Sequence, residues 1–343
     1  MSIKISICLP TLNSIKYLKE RLESIRRQTF KGWELIVFDS FSDDGTSEAL
    51  YNFSVGDERI HIYQAPKDGI YKNFNRCIKK SKGEYIYIAT SDDIMANNCL
   101  EKMAQALSNN PDCDLAHCPM RVFDEDGKLG GDWWSTSSLF SRNSGVFFRK
   151  YHKRCAPLDG ILCLIGDTIY SSVTQLLIRR SLFDKIGYYQ SNWGSLGDFH
   201  WNLRAGLIAS TVHVPDTWGG WRMHSAQATA SIEIGSPDHQ VKIENMIDNV
   251  LKNIDIYITN NSELEVFQKL ECKARKLRSY LREHASNKSI LDRRIFVIRN
   301  ALLGNSLAWQ HLMSIGSSRK RWPLAAPEVV SSWLNGNGLI LLD

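Results

Sequence analysis

The stretch "IYIATSDDIM" ends a short apolar run on two adjacent carboxylates, Asp92 and Asp93. Neighbouring like charges repel, and each is costly to desolvate unless a cation or a donor compensates it. The plain reading is a solvated turn that caps the next helix. The chemical reading is that something positive sits between the two acids. Further polar groups stand at the ends of other apolar runs: Pro10, Thr11 and Asn13 after "KISICLPT", and Asp39 after "WELIVFD". A later acid, Asp198 in "LGDFHWNLR", reads as the start of a helix with Phe199 and Leu203 turned to a core, in a place where it can still face a cleft.

Strands and helices must alternate to bring these groups together. The spacing predicts strands at "KISICLPT", "WELIVFD", "RIHIYQA" and "EYIYIAT". Helices are predicted between them, the first carrying Leu18, Leu22 and Ile25 on one face, with Asn13 or Ser14 as its cap. This order implies a mostly parallel central sheet flanked by helices and joined by right-handed crossovers. Ligands of such sheets bind beyond the carboxyl ends of the strands, where the polar clusters stand. Downstream, a helix is expected at "NNCLEKMAQALSNN", a strand at "DLAHCPMRVFD", an irregular aromatic stretch, a strand at "TQLLIRR" and a helix through "FHWNLRAGLIA". From about residue 236 the pattern becomes helical and more charged.

The 343 residues allow one large domain or a domain plus an appendage. A hydrophobic fraction of 43% and a charged fraction of 23% are those of a globular protein. No apolar run approaches the ~20 residues that span a bilayer, and the N-terminus reads as a strand rather than a leader. The eight cysteines contain no CxxC pair, which favours reduced thiols and a cytoplasmic setting. A net charge of +5, gathered late in "KARKLRSYLR" and "SSRKRW", is too mild for a nucleic-acid binder. The first strand lacks the GxGxxG of a dinucleotide-binding dehydrogenase. A Gly-rich phosphate loop, as in a sugar-nucleotide pyrophosphorylase, is also missing.

The ordered set "ICLPTLN", "SIRRQTFKGWELIVFDSFSDDGT", "KDGIYKNFNRCIKKSKGEYIYIATSDD", "IRRSLFDKIGYY", "LGDFHWNLR" and "WRMHSAQATAS" resembles the inverting glycosyltransferases of family 2, with their GT-A fold. The resemblance covers roughly residues 3 to 230. It implies a GT-A domain over 1–235, with a nucleotide-sugar donor half (1–95) and an acceptor half (96–235), followed by a mainly helical extension over 236–343. Carried over, Pro10, Thr11, Asn13, Asp39, Ser42, Asp68, Gly69 and Asn75 line the nucleotide-sugar, with Asp44 and Gly45 in the loop beside Ser42. Lys72 stands where relatives often have an acid.

Asp92 and Asp93 fall on the last two positions of the family's acidic motif, with Thr90 in place of its first. Asp93 is the expected ligand of Mg2+ or Mn2+, with Asp92 toward the donor and His224 as a second ligand of the metal. Such a cation offsets the charge that builds on a departing nucleoside diphosphate. Asp198 is the expected base for the acceptor hydroxyl, with Gly197 where relatives usually carry Glu. Trp133, Trp134 and Trp193 offer flat faces for acceptor sugars, or pack as core.

The acceptor implied is a glycan or lipid-linked glycan in surface polysaccharide biosynthesis. Peripheral contact with the inner face of the cytoplasmic membrane would run through the basic extension. The competing reading is a degenerate homologue that serves as a scaffold in a glycan-assembly complex.

Overall fold

The computed structural model describes residues 4–132, 149–165, 170–225, 227, 237–254, scattered positions between 265 and 303, and 339–342. The chain opens with β1 (Ile5–Thr11), α1 (Ile15–Arg26), β2 (Trp33–Asp39), α2 (Thr46–Ser54), β3 (Ile60–Gln64), α3 (Ile70–Lys80) and β4 (Tyr85–Ile88), the expected alternation. It continues through β5 (Ile94–Met95), α4 (Cys99–Asn109), β6 (Leu115–His117), β7 (Met120–Phe123), β8 (Leu129–Asp132) and β9 (His152–Arg154). Then come α5 (Leu158–Ile165), β10 (Leu176–Arg179), α6 (Ser181–Ile186), α7 (Gly197–Ile208), β11 (Thr211–His213), β12 (Gly219–Arg222), α8 (Pro237–Lys252) and β13 (Leu339–Leu341).

The main sheet has the order β13-β9-β11-β6-β10-β4-β1-β2-β3. Strands β4, β1, β2 and β3 run parallel, while β10 enters antiparallel between β4 and β6. Alternate residues feed two cores, as the two-residue strand period requires. Ile5, Ile7, Leu9, Leu35, Val37, Tyr85 and Tyr87 pack on the side of Leu18, Leu22 and Ile25 from α1 and Leu100, Met103 and Leu107 from α4. Cys8, Ile36, Phe38, Ile86 and Ile88 pack on the other, with α3, α5, α7 and α8.

Two local expectations are corrected, and the extension adds a strand. The segment "DLAHCPMRVFD" is not one strand: it breaks after His117, and β7 leaves for a second sheet of order β5-β12-β7-β8. Pro119 lies in the break, where a missing N–H cannot continue a ladder. Helix α1 starts after Ser14, whose hydroxyl makes no cap; Asp44 Oδ2 instead accepts from the Ile15 N–H at 3.0 Å, and its Oδ1 accepts from the Thr46 N–H at 3.0 Å. One acid therefore serves the first turns of two helices. The extension contributes α8, but its end adds the edge strand β13 antiparallel to β9.

A buried polar network ties the far strands together. Arg154 Nε donates to Asp159 Oδ1 (2.7 Å), and the Tyr170 hydroxyl donates to Asp159 Oδ2 (2.5 Å). Beside it, His117 Nδ1 meets His213 Nδ1 at 3.1 Å and His152 stacks on His213. Buried hydrogen-bond networks of this kind rigidify the elements that carry them.

Candidate active site

The parallel register places Thr11 beside Asp39 and Asp39 beside Gln64 at one rim of the sheet. Asp39 is wholly buried, and its four acceptor positions are filled. Oδ1 accepts from the hydroxyls of Thr11 (2.8 Å) and Ser42 (2.6 Å); Oδ2 accepts from the Ser42 N–H (3.0 Å) and the Ser47 hydroxyl (2.8 Å). Burial works to raise its pKa, but these donors outweigh it and hold the carboxyl below its ordinary value. Asp39 is therefore an acid already fully engaged by the protein.

Pro10 is the penultimate residue of β1. Asn13, in the left-handed region (φ 47°), accepts from the Asp43 N–H (3.1 Å) and donates its own N–H to the Ser42 hydroxyl (2.9 Å). These bonds lock the β1–α1 turn to the β2–α2 loop. Phe41, also left-handed (φ 52°), stands largely exposed beside them, a costly conformation for a bulky residue.

The segment before and within α3 is held by bonds within the chain. Asp68 accepts both arms of the Arg76 guanidinium at 2.7 Å, with Lys72 Nζ 3.8 Å away. Gly69 takes a φ of 107°, which explains a glycine there. Asn75 does not face the rim freely: its Nδ2 donates to the Tyr189 carbonyl (2.8 Å) and its Oδ1 accepts from the Tyr189 N–H (3.0 Å). Asn73, which sequence reasoning passed over, is buried and donates to the Ser40 hydroxyl at 2.8 Å.

The second sheet gives the adjacent acids different surroundings. Strand β12 pairs antiparallel with β5, placing Gly219 opposite Met95 and Gly220 opposite Ile94. This close approach requires glycine: a Cβ at Gly219 would lie 2.6 Å from the Thr174 carbonyl oxygen. The pairing carries Arg222 and His224 to the acids. Asp93 is buried, with Oδ1 accepting from the Arg222 N–H (2.9 Å) and Oδ2 from the Thr90 hydroxyl (2.6 Å). Burial, then the charge of Asp92, push its carboxyl up to about 7. Asp92 is partly exposed, and its Oδ2 lies 3.0 Å from His224 Nε2. Asp92 rather than Asp93 is the acid turned to the histidine.

Arg222 is no open anion site. It is buried, donates from Nε to the Asp92 carbonyl (3.0 Å), reaches the Asp124 and Glu125 carbonyls, and pairs with Glu20. It fixes the Asp92 backbone.

Asp92 Oδ2 and His224 Nε2 are hydrogen-bonded to each other, and the same two atoms could hold a hard divalent cation. Two ligands at adjacent corners of an octahedron, each bonded at about 2.1 Å, stand about 3 Å apart. Carboxylate oxygen with imidazole suits Mn2+ or Mg2+, and His224 Nδ1 is buried without a hydrogen-bond partner. Among the described residues no group of three His, Cys, Asp or Glu converges on one point. A cation here would draw its remaining ligands from diphosphate oxygens and water.

Asp198 lies in the first turn of α7. Its Oδ1 accepts from the Phe199 N–H (2.8 Å) and the Tyr71 hydroxyl (3.2 Å). Burial raises its pKa against the opposing pull of these donors. Trp193 sits in the turn Ser191–Leu196 that leads into α7; its indole Nε1 donates to Gln190 Oε1 (3.3 Å) and its ring packs on His200. Trp133 and Trp134 lie outside the described residues.

With this geometry established, comparison with known proteins supplies the family. The family described as "Glycosyl transferase family 2" matches residues 6–187, more than half of the chain. The chain belongs to glycosyl transferase family 2. It is 37% identical over 131 residues to glycosyltransferase GlyG of Streptococcus pneumoniae, a match covering 38% of this chain and 43% of that protein. It is 27% identical over 124 residues to the putative teichuronic acid biosynthesis glycosyltransferase TuaG of Bacillus subtilis, covering 36% and 49%. The chain spans about half or less of the length of these two relatives.

Among solved structures it is similar to S. aureus TarS 1–349 in complex with UDP-GlcNAc, with a TM-score of 0.56, 18% identity and 72% and 66% of the two chains covered. The mannosyltransferase PcManGT of Pyrobaculum calidifontis, solved with GDP-Man and Mn2+, gives 0.51, 14%, 91% and 84%. At these identities the likeness concerns the fold, which is the GT-A fold. No described helix is long and apolar enough to cross a membrane.

Proposed function

We propose that this family 2 glycosyltransferase moves a hexose-type sugar from a nucleoside-diphosphate sugar to a glycan or lipid-linked glycan, with inversion, in the assembly of a surface polysaccharide. Relatives named for teichuronic acid and for PGL/p-HBAD biosynthesis support the polysaccharide or glycolipid setting. Residues 1–95 would hold the donor and 96–235 the acceptor. Peripheral contact of the basic extension with anionic lipid belongs to the same reading, and its basic segments lie largely outside the described residues.

The observation that carries the reading is Asp198: the Phe199 N–H and the Tyr71 hydroxyl both donate to Oδ1, leaving Oδ2 to take a proton. As the acceptor oxygen attacks the anomeric carbon, the bond to the diphosphate breaks with its electron pair and the hydroxyl proton passes to Oδ2. Asp92 and His224 would hold the divalent cation, which neutralises the departing diphosphate when bound. Asp93 would hold Thr90 and the Arg222 backbone so that Asp92 stays in place. PcManGT was solved with Mn2+, which supports the choice of metal.

The experiment is donor binding and transfer in Asp198→Asn. The expected outcome is donor affinity unchanged by calorimetry and turnover reduced by about 10²- to 10⁴-fold. Chelation should abolish transfer by the wild type, and Mn2+ or Mg2+ should restore it. Near-normal turnover in Asp198→Asn would remove the base assignment. A wild type inactive with every donor, metal and acceptor would favour the scaffold reading.

A further inference from the structure

We infer that Tyr71 is a positioning residue for the proposed base, holding Asp198 Oδ1 from the donor side of the molecule so that Oδ2 is the oxygen presented to the acceptor. The inference rests on the reading of Asp198 given above and gives a role to Tyr71, which lies within the "KDGIYKNFN" landmark but to which the resemblance assigned none.

Tyr71 and Asp198 are 127 positions apart in the chain, yet the Tyr71 hydroxyl lies 3.2 Å from Asp198 Oδ1 and 3.3 Å from the Ser195 carbonyl oxygen. The contact is possible because residue 197 is glycine. A Cβ there would lie 2.6 Å from Tyr71 Cε2 and 2.8 Å from Cδ2, so the tyrosine ring occupies the space of a side chain at 197. The Glu-to-Gly departure noted in the sequence and the tyrosine on α3 are therefore one feature. Tyr71 fills the volume and supplies a neutral donor where a second carboxylate would repel Asp198.

The ring is not free to swing away. It stacks on Tyr189 at 5.9 Å between centroids and meets Phe74 edge-on at 6.0 Å. Tyr189 is itself held by the paired bonds of Asn75, one helical turn after Tyr71 on the same face of α3. Burial first, and then the Asp198 charge, push the Tyr71 phenol far above its ordinary value, so it remains a donor throughout the working pH range. It keeps its proton during transfer; the acceptor proton goes to Oδ2.

The test is Tyr71→Phe in the full chain, with Asp198→Asn in parallel. A hydrogen bond to a charged group is worth about 1.5–3 kcal/mol, so kcat should fall about 10- to 100-fold while the donor dissociation constant holds. The hydroxyl lowers the pKa of Asp198, so its loss should move the acid limb of kcat/KM to higher pH, which a packing role alone would not do. An unchanged kcat with an unmoved acid limb overturns the inference. If Tyr71→Phe does not fold, Gly197→Ala, whose methyl displaces the ring, is read by the same profile, and an unmoved limb there overturns it equally. Full turnover in Asp198→Asn defeats the base reading itself; an inactive Asp198→Asn beside a wild-type-like Tyr71→Phe defeats only this inference.

Discussion

Asp39 is ionised, wholly buried and bonded to four donors of its own chain, so its charge is part of the fold before any ligand arrives. Its folded pKa lies below the unfolded value of about 3.9. The stabilisation is therefore complete above that value and is lost as pH falls through the lower folded one. Asp39→Asn cannot accept four such bonds and should be less stable than wild type at pH 7 by about 1–3 kcal/mol, the cost of an unsatisfied buried group. In urea denaturation the gap should narrow below about pH 4. A gap that stayed constant down to pH 2 would mean that the carboxylate charge is not what the donors recognise.

The elements differ in how tightly they constrain the site. Strand β12 reaches Asp92 and Asp93 only by threading past the Thr174 carbonyl and the side chains of Phe123 and Ile94, and both of its glycines lack the space for a Cβ. Gly219→Ala should cost about 1–3 kcal/mol as an overpacked site. It should also weaken metal-dependent transfer more than nucleotide binding, because His224 moves with the strand. A melting curve and a Mn2+ titration of activity check both.

This is also the scale at which sequence reasoning succeeds and fails. Periods of 2 and 3.6 made β1 to β4 and α1, α3, α4 and α7 visible, and acids at strand and helix ends marked Asp39, Asp92 and Asp198. Strands of two to four residues such as Ile94–Met95 and Gly219–Arg222 have too few positions for a period, so the second sheet and its effect on Asp92 were not legible. Nor was the Tyr71–Gly197 contact, since neither residue carries a signal without the other. Asn75 matched a motif position, but its backbone partner Tyr189 is 114 residues away and invisible from composition.

At the scale of the molecule, the extension is not a detachable tail. Met246, Ile247 and Val250 of α8 are buried against the core that α7 completes. Each buried side chain of this kind is worth about 1.5–3 kcal/mol. A chain ending at residue 235 should show a large drop in melting temperature or fail to fold, by circular dichroism. A fully stable truncation would make α8 dispensable.

The Asn75 clamp on Tyr189 has a further consequence for how the protein breathes. The Tyr189 amide proton is shielded by a side chain of α3, so its exchange with deuterium requires α3 and the segment before α7 to part. A nucleoside diphosphate that steadies the start of α3 should slow exchange at residue 189, which would make this amide a label-free reporter of donor occupancy.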